Sequence, residues 1–314
     1  MKKILVLVPF APAQRRQLAE AAPGWEFLYA KEDAAQQTLP EGVEIVIGEP
    51  QHAAIAAAPE LKWVQMTWAG TDKYTAAPEP FPAGVALTNA SGAFGPIMSE
   101  YALGAVLTLY HRFPAYLQNQ RQERWEDAGA ERSLRGKHAL IFGAGDVGRC
   151  TAEKLSFFGA HVTGVRRRVS EVPAGFERLV SLEAAEGELP KADIVVCCIP
   201  NSAATAGYFG ARRLALLKED AVLVNMGRGS FVDAQALARR LEQFPAFSAA
   251  LDVTDPEPLP EGHPLWKLEN VLITPHVAGP SFGHCPDTEA RICEICCGNL
   301  RRWLAGQPLK NRVL

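Results

Sequence analysis

No hydrophobic run in this chain is long enough to cross a bilayer. The longest nearly unbroken stretch, Tyr101 to Tyr110, has ten residues, about half of what a spanning helix needs. Charge of one sign is also lacking: 32 Lys and Arg stand against 35 Asp and Glu, for a formal charge of −3. With no basic surplus to meet phosphates or anionic lipid, neither nucleic acid nor a membrane is expected as a partner. Cysteine is sparse and odd in number, at seven, which fits reduced thiols in the cytoplasm rather than a disulfide scaffold. Cys293-x-x-Cys296-Cys297 is half of a zinc pattern, and no second Cys or His pair stands at ligand spacing nearby. No metal is expected. The start, Met1-Lys2-Lys3 before Ile4 to Val8, has the look of a secretory signal. Its apolar run stops at Pro9 with no small-residue cleavage site beyond, so it reads as a buried first strand. Solenoid repeats and low-complexity tracts are absent.

What the chain contains is alternation. Its 314 residues are about twice a typical domain. A balance of 48% hydrophobic and 21% charged residues is that of an ordinary globular protein. β-rich runs at 3–8, 25–29, 43–47, 63–66 and 85–87 alternate with helical or loop stretches, which predicts a mainly parallel sheet. Pro78-Glu79-Pro80-Phe81-Pro82 marks a rigid surface loop. Residues 99–120 read as one long helix, apolar enough in its first half to be a buried connector between two domains. A second series follows, with apolar runs at 138–142, 160–165, 193–197, 221–225, 247–251 and 271–274. Helical stretches at 147–157, 212–217 and 234–243 separate most of them. That order is expected of a doubly wound nucleotide-binding domain. A last helix over 287–304 is expected to return to the first domain.

The run His138 to Gly148 is a strand entering Gly-x-Gly-x-x-Gly and then a helix. Gly143 permits the tight turn, Gly145 lets backbone approach a pyrophosphate, and Gly148 lets helix close on strand. The helix N-terminus offers free N–H donors to the phosphates. At the end of the next strand, where an acid would accept hydrogen bonds from the ribose hydroxyls of NAD, the chain has Arg166-Arg167-Arg168. Guanidinium groups grip a 2′-phosphate bidentately. NADP is therefore the expected cofactor, with NAD the second choice. Three more strand ends carry reactive residue types: Asn225-Met-Gly227-Arg228-Gly229, Asp252-Val-Thr-Asp255-Pro-Glu257, and Thr274-Pro-His276. In an open α/β sheet the C-terminal strand ends line the ligand crevice.

Together these motifs, with Thr67-Trp-Ala-Gly70-Thr-Asp72 and Pro264 to His276, resemble the D-isomer-specific 2-hydroxyacid dehydrogenase family over nearly the whole length. The resemblance implies an α/β fold of two Rossmann-like domains with parallel sheets. A substrate domain would be built from both chain ends (1–94 plus 283–314), and the dinucleotide-binding domain (95–282) inserted between them. It implies that Arg228 binds the substrate carboxylate and polarises the keto oxygen, a task for a fixed, always charged fork. His276 would give the proton as hydride arrives at the carbon. Glu257 would hold the imidazole and favour its protonated form. Backbone N–H groups of Ala69 and Gly70 would complete the carboxylate site. Asp252 would meet the nicotinamide carboxamide, and Gly143, Gly145, Asp146, Val147, Gly148, Arg166, Arg167 and Pro200 would line the dinucleotide. Asn89 and Ser91 receive no role.

The implied activity is reduction of a small 2-keto acid, of glyoxylate or hydroxypyruvate type, to a D-2-hydroxy acid by a cytoplasmic homodimer. An NAD-linked D-lactate- or phosphoglycerate-type dehydrogenase, or a non-catalytic NAD(P)(H)-sensing scaffold, are the alternatives. Glu257 stands where formate dehydrogenases of the superfamily have glutamine, which favours keto-acid chemistry. No regulatory domain follows Leu314, which makes a serine-regulated phosphoglycerate dehydrogenase the less expected branch. Trp68, Trp266 and Phe282 near these motifs suggest a cramped pocket.

Overall fold

The computed structural model describes residues 2–30, 38–168 and 171–314. The chain divides into two units, Met1–Phe94 with Pro280–Leu314, and Gly95–Gly279. The second boundary thus falls at 279/280 rather than at the expected 282/283.

In the first unit, β1 (Lys3–Val6), β2 (Glu26–Tyr29), β3 (Val43–Ile47), β4 (Trp63–Gln65) and β5 (Ala86–Thr88) form a parallel sheet in the order β2-β1-β3-β4-β5. The near-continuous apolar run of β1 is buried, as befits an interior strand covered on both faces. The helix Pro286–Leu304 belongs to this unit. Its buried stripe of Ile292, Cys293, Cys296, Cys297 and Leu300 follows helical spacing. Asn299 Nδ2 donates to Gln65 Oε1 at 2.8 Å, and Trp303 stacks on Trp63 with centroids 5.6 Å apart. The Cys293 thiol rests 3.4 Å from Gln17 Oε1, so these sulfurs serve helix packing; all seven cysteines are unpaired.

In the second unit, seven strands run parallel: β6 (His138–Phe142), β7 (His161–Val165), β8 (Arg178–Val180), β9 (Ile194–Cys197), β10 (Val222–Asn225), β11 (Ser248–Leu251) and β12 (Val271–Ile273), ordered β12-β11-β10-β9-β6-β7-β8. Alternate residues feed two cores, one on each face. Leu140, Phe142 and Leu223 enter one, and Ala139, Ile141, Val222 and Val224 the other. The edge strand β8 has no counterpart in the sequence reading, because three residues opening on an arginine make no apolar run.

The single helix expected over 99–120 is two, Gly95–Tyr110 and Phe113–Arg121. Pro114 would strike the Tyr110 carbonyl in a continuous helix, and Arg112 breaks it with a left-handed backbone, φ 54°. The first of the two packs Ala102, Ala105, Val106 and Leu109 into this unit's own core.

At the N-terminal end of β9, Asp193 ties three segments together. Its Oδ2 accepts the His138 N–H at 2.8 Å, and Oδ1 accepts Lys218 Nζ at 2.8 Å, with Lys137 Nζ 3.8 Å away. Burial works against the charge, but these donors win and hold the carboxyl below its usual range. Among the described residues no helix is long and apolar enough to cross a membrane.

Candidate active site

β6 delivers the glycine loop. A Cβ placed on Gly148 would lie 1.7 Å from the Gly143 carbonyl oxygen, so only glycine lets the helix Asp146–Phe157 close so tightly on the strand. Beside Gly145, the N-cap, a Cβ would meet nothing within 4 Å. Unfilled space before first-turn N–H groups that have no partner in their own helix fits a pyrophosphate. Asp146 turns its carboxylate away, accepting Gly95 N–H at 2.8 Å, so Asp146 and Val147 offer a ligand their backbone. A residue that sequence reasoning missed supports the loop from below. The Cys198 thiol points to the carbonyls of Phe142 (3.2 Å) and Gly143 (3.5 Å), and burial pushes it up to about 12, so it stays a neutral donor.

Strand order places β9 and β7 on either side of β6. Pro200, just past β9, and Arg166 and Arg167, just past β7, are exposed at the same sheet end as the glycine loop. Arg166 N–H is anchored to the Val180 carbonyl at 3.0 Å.

Further along this edge, β10, β11 and β12 deliver the reactive groups. Arg228 is half-buried; its Nη1 donates to the Gly227 carbonyl at 2.8 Å, and its own carbonyl accepts Asn225 Nδ2 at 3.0 Å. His276 has a left-handed backbone, φ 56°, costly for a residue with a Cβ. The tip of β11 holds it there. The Asp252 carbonyl accepts the His276 N–H at 2.8 Å. Its Oδ1 accepts Thr274 Oγ1 (2.7 Å) and Val277 N–H (2.8 Å), and Oδ2 accepts Ala278 N–H (2.9 Å). Asp252, expected at the nicotinamide carboxamide, is 2% exposed and gives three acceptor positions to the protein, which leaves one on Oδ2 by count. Because Thr274 directs its hydrogen to Asp252, the Tyr101 hydroxyl donates to Thr274 Oγ1 at 2.7 Å. Burial pushes that phenol up to about 12.

His276 Nδ1 lies 2.7 Å from Glu257 Oε1. A carboxylate only accepts, so Nδ1 carries its hydrogen toward Glu257 and the remaining exchangeable position is Nε2. Nε2 makes no hydrogen bond among the described residues. The imidazole is half exposed, at 52% of its side-chain surface. This imidazole, oriented and with one open nitrogen, shares a sheet end with the Arg228 guanidinium and the glycine-rich turn, and a group so placed can pass a proton to a bound molecule.

In the first unit, the chain leaves β4 through Thr67-Trp68-Ala69-Gly70. Ala69 and Gly70 N–H make no hydrogen bond among the described residues. The Phe282 ring packs edge-on against Phe10, with centroids 5.1 Å apart. Trp68 and Trp266 are exposed, the latter tethered through Nε1 to the Pro260 carbonyl at 3.0 Å.

Residues 103–278, more than half of the chain, match the family described as D-isomer specific 2-hydroxyacid dehydrogenase, NAD binding domain. The chain belongs to the D-isomer specific 2-hydroxyacid dehydrogenase family. The dehydrogenase is 32% identical over 238 residues to a glyoxylate/hydroxypyruvate reductase A of Serratia proteamaculans (strain 568), covering 74% of this chain and 75% of that one. A solved family protein from Aeromonas salmonicida subsp. salmonicida A449 is 32% identical with a TM-score of 0.87, over 100% of this chain and 99% of that one. A D-isomer specific 2-hydroxyacid dehydrogenase from Xanthobacter autotrophicus Py2, solved with NADPH and MES, is 30% identical with a TM-score of 0.84, over 100% and 98%. Relatives named glyoxylate reductase and D-3-phosphoglycerate dehydrogenase both match. The dehydrogenase is therefore an NAD(P)-dependent oxidoreductase of 2-hydroxy acids, built on two parallel-sheet units as expected.

Proposed function

We propose that the enzyme reduces a short 2-keto acid of glyoxylate or hydroxypyruvate type to the D-2-hydroxy acid, with NADPH as the preferred cofactor. The observation that carries this reading is the Glu257-oriented imidazole of His276 with Nε2 open. A dinucleotide held by the glycine loop would supply the hydride for the carbonyl carbon. Arg228 grips the substrate carboxylate and polarises the keto oxygen, and His276 Nε2 gives that oxygen its proton. Ala69 and Gly70 N–H receive the carboxylate, and Asp252 Oδ2 takes the nicotinamide amide. The name of the Serratia relative supports the substrate class. The exposed Arg166 and Arg167 and the NADPH in the Xanthobacter structure support the cofactor.

Initial rates of NADPH and NADH oxidation with glyoxylate, hydroxypyruvate and pyruvate test the reading. Fast NADPH turnover with either of the first two is expected. Silence with every acid, despite dinucleotide binding, would reject it in favour of a sensing role. Replacing Arg166 and Arg167 together by Ala should raise the KM for NADPH about 30-fold, and that for NADH less than about threefold, because only the former loses a phosphate grip. Equal weakening of both would remove the arginines from cofactor choice.

Glu257→Gln should lower kcat about a hundredfold with NADPH affinity unchanged. The amide keeps the shape but not the charge that steadies the imidazolium. A kcat within threefold of the parent would show that Glu257 does not act on His276.

A further inference from the structure

One buried ionisable group near the Thr67–Gly70 loop is unused by the chemistry above. Glu49 follows β3 and is 4% exposed. Its Oε1 accepts the N–H groups of Thr67 at 2.6 Å and Trp68 at 3.1 Å, and Thr67 Oγ1 lies 3.1 and 3.0 Å from its two oxygens. The segment carrying Glu49 is itself pinned. Lys73 Nζ donates to the Glu49 carbonyl at 2.6 Å, and the Tyr74 hydroxyl to the Pro50 carbonyl at 2.6 Å. Burial raises the Glu49 pKa, while the Thr67 and Trp68 donors and Lys73 pull it back.

The loop is gripped from its other side as well. The Trp68 carbonyl accepts Ala90 N–H at 2.9 Å, and the Ala69 carbonyl accepts Asn89 Nδ2 at 2.7 Å. Two consecutive N–H groups are thus drawn into the protein, and the next two, on Ala69 and Gly70, are left without partners among the described residues. A buried carboxyl group is an expensive way to satisfy two amides that a simple turn would leave in water.

We propose that Glu49 is a positioning residue for substrate binding: by holding Thr67 and Trp68 N–H inward, it keeps Ala69 and Gly70 N–H open for the carboxylate of the 2-keto acid. Asn89, which sequence reasoning left without a role, is the matching hold on the outgoing side. The inference rests on the reading of Ala69 and Gly70 as carboxylate donors.

The test is steady-state kinetics with hydroxypyruvate and glyoxylate on the whole enzyme, with NADPH binding followed separately by fluorescence. Glu49→Ala should raise the KM for both acids about tenfold, leaving NADPH affinity within about twofold, since the freed loop loses its preset geometry. Glu49→Gln should bring KM back to within about threefold, because its carbonyl oxygen accepts both backbone donors and its amide donates to Thr67 Oγ1. A role in folding alone would lower kcat per mole of protein and leave KM untouched, and that result would overturn the proposal. Should Glu49→Ala fail to fold, Asn89→Ala is expected to show the same rise in KM, and an unchanged KM there would count equally against it. Gly70→Pro, which deletes one of the two open N–H groups, separates the layers. If it leaves KM unchanged, the carboxylate reading itself is wrong. If it raises KM while Glu49→Ala does not, only the role of Glu49 is lost.

Discussion

Replacing His276 by Asn should lower kcat about a thousandfold while leaving the NADPH dissociation constant within about twofold, the loss expected when a positioned general acid is removed. Asn is a better probe than Ala. The residue sits at φ 56°, a conformation Asn tolerates and Ala does not, so the turn survives and the comparison isolates the imidazole. Cofactor affinity should hold because the glycine loop follows β6 and His276 follows β12, at the far side of the sheet order. Steady-state rates and fluorescence titration together check both halves. A kcat within tenfold of the parent would show that another group or water delivers the proton. A parallel loss of NADPH binding would show that the substitution had disturbed the nucleotide unit.

Arg228→Ala should lower kcat/KM about 10³- to 10⁴-fold, with both a raised KM and a lowered kcat. The two effects have separate origins. In the proposed role, a guanidinium paired with the substrate carboxylate would hold the ground state, and its second arm would meet an oxygen whose negative charge grows as hydride arrives. Arg228→Lys keeps the charge but loses the fork, and should recover about tenfold of the loss. Its backbone is set by Asn225, whose side chain accepts Gly227 N–H at 3.2 Å and donates to the Arg228 carbonyl at 3.0 Å, so the loop should persist in both variants. Free guanidinium added to Arg228→Ala should restore part of the rate. If Arg228→Ala raised only KM, the arginine would bind substrate without polarising it.

The sheet was legible wherever a strand is buried on both faces, since such strands read as unbroken apolar runs; Val222–Asn225 is one. It was illegible at β8, an edge strand of three residues, and at Arg112, where one proline outweighs an otherwise helical pattern. In the site, the residues easiest to read were those in short motifs at strand ends, where the fold turns local spacing into shared position. Those missed are joined only by folding. Tyr101 and Thr274 are 173 positions apart in sequence. Cys198 reaches loop carbonyls more than fifty positions away. Glu49 is a lone acid before a proline, and nothing in its neighbourhood signals that the ends of β3 and β4 will enclose it.

The Asp193 tie at the opposite end of the nucleotide sheet bears on how such an enzyme changes over evolutionary time. From Asp193 to Cys198 the chain advances about 16 Å at ~3.3 Å per residue, beyond the ~7–10 Å over which substitutions usually couple. Parallel strands put the fastening at one rim and the proposed site residues Arg228, Glu257 and His276 at the other. A lineage can therefore rewrite the loops after β10, β11 and β12 in search of a new acid while the Lys218–Asp193–His138 tie keeps its contribution intact, and gains made at either rim can be inherited independently.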